Sequence, residues 1–270
     1  MTGAYSNSQY ALGSTDEEHE RLIRQARWLA PHTEKCFREA GIKSGHRVLD
    51  LGSGVGDVAL LVAALVGAAG EVVGVERDER SIARARERVA EAGLHNVSFT
   101  QNDITQLSAS KPFDAAVGRY ILMFLPDPAS VLRSLSRLLG PGGILAFQEP
   151  NWDLFMEASR PFPLWLACAS LMKEVFRRSG ANANIGPELP QVFQNAGLPA
   201  PFTRTDILLG AEEWMPNILN SLRPQITQFN LATEGLGDMH TLTQRLYAEI
   251  SAANAKAPLP SLVSAWSRNQ

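Results

Sequence analysis

The sequence has few cysteines and a small net charge, and each of these features excludes a class of protein. Two cysteines in 270 residues, Cys36 and Cys168, are too few for a disulfide framework. A formal net charge of −3 supplies no broad positive field that would attract a nucleic acid or an anionic membrane. We therefore expect two free buried thiols, a cytoplasmic location, and no nucleic-acid or membrane partner.

Long apolar runs are also missing. The longest, residues 58–70, is shorter than the roughly 18 residues needed to cross a bilayer. Residues 1–14 are polar and lack the basic segment and apolar core of a secretory signal. What is present is an ordinary globular composition, 45% hydrophobic and 20% charged, which predicts a sizeable buried core.

The most informative stretch is residues 47–57, where a short apolar run ends in Asp50 and glycine then occupies every second position. This order predicts a buried strand, a tight turn and the start of a helix. A dinucleotide-binding pattern would need a small residue where Asp57 stands, and an acid there would repel a pyrophosphate. Asp50 is instead suited to accept hydrogen bonds from a cationic amine. The glycines of the turn are Gly52, Gly54 and Gly56.

Strand-like and helix-like segments alternate up to about residue 150, which predicts a parallel sheet covered by helices on both faces. Ligands of such sheets bind outside the carboxyl ends of the strands. Glu76, at the second of these ends, stands where a carboxylate that bonds ribose hydroxyls is expected. The polar residues at predicted strand ends, which together outline a pocket, are Asp50, Glu76, Asp103, Arg119 and Glu149.

The pattern Asp50-x-Gly52-x-Gly54-x-Gly56 after an apolar strand resembles motif I of the class I S-adenosylmethionine-dependent methyltransferases. The resemblance covers about residues 46–150 by four motifs in order, and the tail by topology. It implies an α/β fold: a Rossmann-like, seven-stranded, mostly parallel sheet with an antiparallel last strand. The last two strands are expected at 202–209 and 261–268.

A single domain is expected over residues 1–270, with helices of the N-terminal segment and of insertions capping the site. Its parts would be an N-terminal helical lid at 1–45, a cofactor-binding core at 46–150, and the rest of the sheet with its cap at 151–270. Within the lid, Pro31 is expected to kink the helix or to begin a second one.

The resemblance implies S-adenosylmethionine as the cofactor and S-adenosylhomocysteine as the product. Glu76 would bind the ribose, Asp103 the adenine amino group, and Ile104 would pack on the ring. The residues assigned to cofactor binding are Asp50, Gly52, Ser53, Gly54, Gly56, Glu76, Arg77, Asp103, Ile104 and Arg119.

The residues after the fourth predicted strand, Gly118-Arg119-Tyr120, narrow the chemistry. They replace the Asp/Asn-Pro-Pro-aromatic run of methyltransferases that act on adenine or glutamine, and no Pro-Cys pair offers a nucleophile for cytosine. Arg119 stands where the metal-dependent catechol type has an acidic ligand, so we expect no metal. A small organic acceptor remains, apolar or aromatic in view of the hydrophobic insertions, and the protein is expected to be a monomer or homodimer.

A sulfonium methyl is already activated, so positioning of the acceptor is the main catalytic requirement. A general base is needed only where the acceptor keeps its proton at neutral pH. Glu149, His19 and Asp153 are the candidates for that base. The expected walls of the acceptor pocket are Tyr10, Tyr120, Asn151 and Trp152.

Two alternatives stay open from the sequence. A nicotinamide-dependent oxidoreductase is disfavoured by Asp57 and by the glycine spacing. A regulatory module that binds S-adenosylmethionine without turnover would keep Asp50, Glu76 and Asp103. Methylation on oxygen, nitrogen, sulfur or carbon is equally compatible with these residues.

Overall fold

A computed structural model describes residues 13, 15–104 and 107–269 of the chain. These residues form one seven-stranded sheet with a hydrophobic core on each face. The strands are β1 Arg47–Leu51, β2 Glu71–Glu76, β3 Val97–Gln101, β4 Phe113–Arg119, β5 Leu139–Asn151, β6 Phe202–Asp206 and β7 Ser261–Arg268.

The strands are ordered β3-β2-β1-β4-β5-β7-β6. β1 to β5 pair in parallel, whereas β7 runs antiparallel to both β5 and β6. The predicted Rossmann-like, mostly parallel sheet is therefore confirmed. Its strand order reverses between β1 and β4, which is where open α/β sheets bind their ligands.

The helices of the described residues alternate with the strands in the first half and cluster together in the second. They are α1 Asp16–Ala40, α2 Asp57–Val66, α3 Glu79–Glu91, α4 Pro128–Ser136, α5 Trp152–Ser159, α6 Pro163–Arg178, α7 Leu189–Asn195, α8 Trp214–Gln228 and α9 Leu242–Ala252.

Side chains of β1 point alternately to the two faces of the sheet, as the period of a strand requires. Val48 joins the core formed with α2, α3 and the end of α1, whereas Leu49 and Leu51 join the core formed with α4 to α9. All three are buried. Because both faces are covered, β1 is nearly continuous in apolar residues until Asp50 interrupts it.

α1 is one continuous helix that passes through Pro31. The Thr15 hydroxyl accepts the Glu18 amide at its start, and Gly41 ends it in a left-handed conformation. A second helix therefore does not begin at the proline. Packing of α1 against α2, α8 and the sheet offsets the hydrogen bond that an interior proline removes.

The second half differs from its prediction in element bounds. β5 begins at Leu139 and includes residues 140–143, and Gly142 donates its amide to the Asn269 carbonyl. β6 ends at Asp206, before the predicted 209. α8 extends through Pro224 to Gln228. Pairing of Leu139 with Phe113 of β4, pairing of β6 with β7, and packing within the cap accompany these bounds.

Cys36 and Cys168 are buried and free, as expected. The apolar run after the glycine turn forms α2, also as expected. In the part of the chain that the structure describes, no helix combines the length and the apolar character that crossing a membrane requires.

Candidate functional site

A cavity of about 1430 Å³ lies at the carboxyl ends of β1, β2, β4 and β5, walled on its other side by α1 and α8. Pockets for one small ligand measure roughly 300–1,000 Å³. The cavity is therefore large enough for a cofactor and a second molecule beside it.

The glycine turn forms one wall of this cavity. Gly52, Gly54 and Gly56 all have positive φ, of 63°, 50° and 83°. A Cβ on Gly52 would meet Ile121 Cδ1 at 2.5 Å, so this glycine is required by packing as well as by conformation. A Cβ on Gly54 would meet nothing within 4 Å. Gly54 thus leaves an open side toward the cavity, where a ligand can approach the backbone.

Glu76, at the end of β2, joins this turn to the neighbouring strand end. Its carboxylate accepts the amides of Gly54 (3.0 Å), Arg77 (2.7 Å) and Asp78 (3.1 Å). A carboxylate offers about four acceptor positions. Glu76 lines the cavity and keeps capacity for a further donor such as a hydroxyl.

Asp50 lies beneath the turn, 1% exposed, and does not line the cavity. Its Oδ2 finds no hydrogen-bond partner among the described residues. Burial raises the pKa of this carboxyl to about 8, while the Arg119 cation lowers it. The buried hydroxyl of Ser53, which does line the cavity, also lacks a partner within the described part of the chain. A cation bound above the turn would favour the charged form of Asp50.

Arg119 ends β4 and lines the cavity. Its Nη1 donates to the Thr33 hydroxyl at 2.9 Å, which ties α1 to the carboxyl end of β4. Burial lowers the pKa of the guanidinium, and the carboxylates of Asp57 and Asp50 raise it. Since a guanidinium stays protonated, it presents a fixed positive charge to the cavity.

The residues expected around adenine take different positions. Arg77 lines the cavity, but Asp103 and Ile104 do not. Ile104 is buried in the core, and the Asp103 amide donates to the Asn102 side chain at 2.8 Å. Gly56 also lies off the cavity wall, as the N-cap of α2.

Glu149, one of the three base candidates, does not line the cavity. Its side chain is fully buried, and its oxygens accept the amides of Ile121 (3.0 Å), Leu122 (2.7 Å) and Met123 (3.4 Å). Burial raises the pKa of this carboxyl to about 8, and the three amides lower it. Glu149 therefore holds the segment after β4 in place. The sequence shows that this residue ends a strand, but not that the next loop folds over its carboxylate.

The other two base candidates also lie away from the cavity wall. His19 is a buried residue of α1 that faces α3, with Nε2 3.2 Å from the Ser81 hydroxyl. Asp153 is an exposed residue that pairs with Lys173 at 2.9 Å and with the Asn184 side chain. Neither is placed to meet an acceptor in the cavity.

Two of the four expected pocket walls, Tyr120 and Trp152, line the cavity. Asn151 instead caps α5 by accepting the Leu154 amide at 3.0 Å. Tyr10 lies outside the described residues.

One face of α1 supplies wall residues that the sequence analysis missed. Helical spacing of four, three and four places these side chains on one stripe that lines the cavity. The sequence shows this helical spacing, but the spacing does not indicate which part of the protein the stripe faces. The residues are Arg21, Gln25, Trp28 and His32.

Aromatic rings of the cap complete the cavity. Trp152 packs edge-on against Phe176 at 5.5 Å between ring centroids, and both line the cavity. Trp214 of α8 donates its indole N–H to Gln25 Oε1 at 3.2 Å, linking α8 to α1. The cavity is thus polar at the strand ends and largely aromatic beneath the cap.

Comparison with known proteins agrees with this geometry. The family model described as "Methyltransferase domain" matches residues 42–197. A ubiquinone/menaquinone biosynthesis C-methyltransferase of Cellvibrio japonicus is 32% identical over 124 residues, 44% of this chain and 50% of that protein. An arsenite methyltransferase of Aquipseudomonas alcaligenes is 38% identical over 146 residues, 47% and 42% of the two chains. An aklanonic acid methyltransferase of a Streptomyces species is 35% identical over 120 residues, 44% and 53%.

The chain spans about half the length of these relatives. Among solved structures, the YcgJ protein of Bacillus subtilis aligns with a TM-score of 0.58 at 17% identity, over 88% of this chain and 98% of that one. A SAM-dependent methyltransferase of Aquifex aeolicus aligns with a TM-score of 0.52 at 22% identity, over 73% and 90%. At such identities the likeness shows the fold alone. The family match, which covers more than half of the chain, shows that it belongs to the class I S-adenosylmethionine-dependent methyltransferases.

Proposed function

We propose that this protein transfers the methyl group of S-adenosylmethionine to a small, apolar or aromatic organic acceptor by in-line displacement, without a metal. One observation carries the proposal: a single cavity joins the open glycine turn and Glu76 to the aromatic walls of the cap. Both reactants can therefore be held side by side, and such positioning contributes several kcal/mol to catalysis.

The residues of the polar end fit the cofactor. Glu76 has an acceptor position left for a ribose hydroxyl, and Gly54 leaves open space beside the backbone. Arg119 offers a fixed cation for a ligand carboxylate. Asp50, buried below the turn, favours a cation above it. When bound, S-adenosylmethionine supplies a methyl group on a positively charged sulfur.

The cap favours an organic acceptor. The names of two relatives refer to quinone biosynthesis and to aklanonic acid, whereas a third names arsenite. Soft thiolates are the ligands that arsenite would prefer. Cys36 and Cys168 are both buried, and neither lines the cavity. Aromatic and aliphatic walls instead match an apolar molecule.

Metal independence rests on the residues at the end of β4. Arg119 places a cation where a hard divalent metal would need oxygen ligands. Within the described ranges, no group of three or more histidine, cysteine, aspartate or glutamate side chains is arranged to hold an ion.

Incubation with S-adenosylmethionine and a panel of apolar and aromatic acceptors, followed by mass spectrometry, tests the proposal. We expect S-adenosylhomocysteine and a product heavier by one methyl group, at a rate that added chelator does not change. Binding of S-adenosylmethionine without product from any acceptor would point to a regulatory module. Preference for NADH over S-adenosylmethionine would contradict the cofactor assignment.

A further inference from the structure

His32, one of the wall residues of α1, meets a carboxylate that lies behind the cavity wall. His32 Nδ1 lies 3.3 Å from Asp206 Oδ1. The imidazole is about one-third exposed and lines the cavity, whereas Asp206 is 14% exposed. Nδ1 faces the carboxylate, so the opposite ring nitrogen, Nε2, is on the edge away from it. Catalytic contacts of this kind are often long before substrate binds.

Arg204 holds both members of this pair. Its Nε donates to Asp206 Oδ2 at 3.1 Å, and its Nη2 donates to the His32 carbonyl at 3.2 Å. Its Nη1 is paired with Glu39, about two turns beyond His32 on α1. The Asp206 oxygen that faces His32 is thus set by a guanidinium on its other side, which fixes the carboxylate plane relative to the ring.

The pair is close to the cofactor end of the cavity. Thr33, the residue after His32, accepts the hydrogen bond from Arg119 at the end of β4. Leu208 and Leu209, which follow Asp206 by two and three residues, also line the cavity. His32 therefore stands where the cofactor wall and the apolar acceptor wall meet.

We infer that His32 is the general base that accepts the proton of an acceptor hydroxyl, with Asp206 as the residue that positions its ring. The inference rests on the proposed function and deepens it, because it assigns a hydroxylated apolar acceptor. His32 Nε2 takes the hydroxyl proton as the oxygen forms its bond to the methyl carbon. The electron pair of the broken carbon–sulfur bond stays on sulfur, and the proton then passes from the imidazolium to solvent.

The charges around His32 are consistent with this role. Asp206 and Arg204 face it from β6. Glu39 and Lys35 lie on α1 itself. Arg119 donates a hydrogen bond to Thr33, the next residue along α1. Cys36, one turn along α1, is a neutral thiol because burial raises its pKa to about 11. Because Nδ1 is directed at the anchored carboxylate, Nε2 is the ring nitrogen left to accept a proton from the acceptor.

The test uses three acceptors of decreasing acidity: 4-nitrophenol, 2-naphthol and 2-phenylethanol. The variants are His32→Ala, Asp206→Asn and the control His95→Ala, an exposed histidine outside the cavity wall. For 2-naphthol we expect His32→Ala to lower kcat about 10²–10⁴-fold. The loss should be far smaller for 4-nitrophenol, which is largely ionised at pH 8 and needs no base. The dissociation constant of S-adenosylmethionine should not change.

Asp206→Asn should lower kcat for 2-naphthol less than His32→Ala does, with unchanged KM for S-adenosylmethionine, and Asp206→Glu should restore part of the loss. Full activity of His32→Ala on 2-naphthol would overturn the inference. So would an equal loss on all three acceptors together with a lower melting temperature, because that indicates a structural role. If S-adenosylmethionine binds and none of the three hydroxyl compounds is methylated, the hydroxylated acceptor is overturned while the cofactor assignment stands. Absence of S-adenosylmethionine binding would instead contradict the proposed function itself.

Discussion

The two ends of the cavity are built in different ways. At the strand ends, hydrogen bonds to backbone amides hold the wall in place. Glu76 accepts three such amides, from its own strand end and from the neighbouring one. Under the cap, the wall is assembled from α1, the segment after β6 and α8, which are far apart in sequence. Contacts from Gln25 to Trp214 and from His32 to Asp206 join these segments. The comparison suggests that the first end fixes the cofactor and the second selects the acceptor.

The largest effect should come from Glu149, and it should be on folding. Glu149→Ala would leave two buried amides and one partly buried amide without their acceptor, and each buried one costs about 1–3 kcal/mol. We expect the free energy of unfolding, measured by urea denaturation, to fall by about 3 kcal/mol or more. Glu157→Ala removes only an exposed ion pair with Arg160 and serves as the control. Unchanged stability with lost turnover would instead restore Glu149 as a candidate base.

Glu76→Ala should be next, with its effect on the cofactor. Loss of one charge-assisted bond to the ribose, worth roughly 1.5–3 kcal/mol, weakens S-adenosylmethionine binding by about tenfold to 150-fold. Calorimetric titration measures this directly. Glu79→Ala, an exposed residue three positions on, is the control and should bind normally. Equal affinities for both variants would remove the ribose assignment.

A pair of glycine variants separates packing from ligand approach. Gly52→Ala and Gly54→Ala both place a Cβ at positive φ, at a cost of about 1–2 kcal/mol. Gly52→Ala also meets Ile121, so it should lower the melting temperature more. Gly54→Ala should lower the melting temperature less than Gly52→Ala but lower the affinity for S-adenosylmethionine more, because its Cβ enters the open side of the turn. The reverse order of the two affinities would contradict the orientation assigned to the turn.

The smallest effect tests the cap. Trp214→Phe keeps most of the ring but loses the hydrogen bond to Gln25, worth about 0.5–1.5 kcal/mol. We expect the KM of the acceptor to rise a few-fold, with the dissociation constant of S-adenosylmethionine unchanged. If the KM of the acceptor and the dissociation constant of S-adenosylmethionine change equally, the cap affects the binding of both ligands and the two ends of the cavity are not independent.

The same contrast explains what the sequence could reveal. The fold and the cofactor turn depend on local patterns: apolar strands, an acid at a strand end and glycines that need positive φ. Gly52, Gly54, Glu76 and Arg119 accordingly line the cavity, and their contact with the cofactor stays a prediction. Glu149 was placed at the right strand end, but its use depends on a loop that folds back over it.

The cap was less predictable because its contacts join distant segments. His32 lies 174 residues before Asp206, and no local pattern links them. Pro31 predicted a kink or a second helix, yet α1 is continuous through it. His32, the next residue, lines the cavity. β6 ends three residues before its predicted end for the same reason, since neighbouring elements decide where it stops.

Calorimetric titration of the protein with S-adenosylmethionine, and separately with NADH, tests the central claim most directly. The account predicts saturable one-site binding of S-adenosylmethionine, weakened by Glu76→Ala, and no heat of binding with NADH. Binding of NADH in preference to S-adenosylmethionine, or S-adenosylmethionine binding that is indifferent to Glu76, would contradict it.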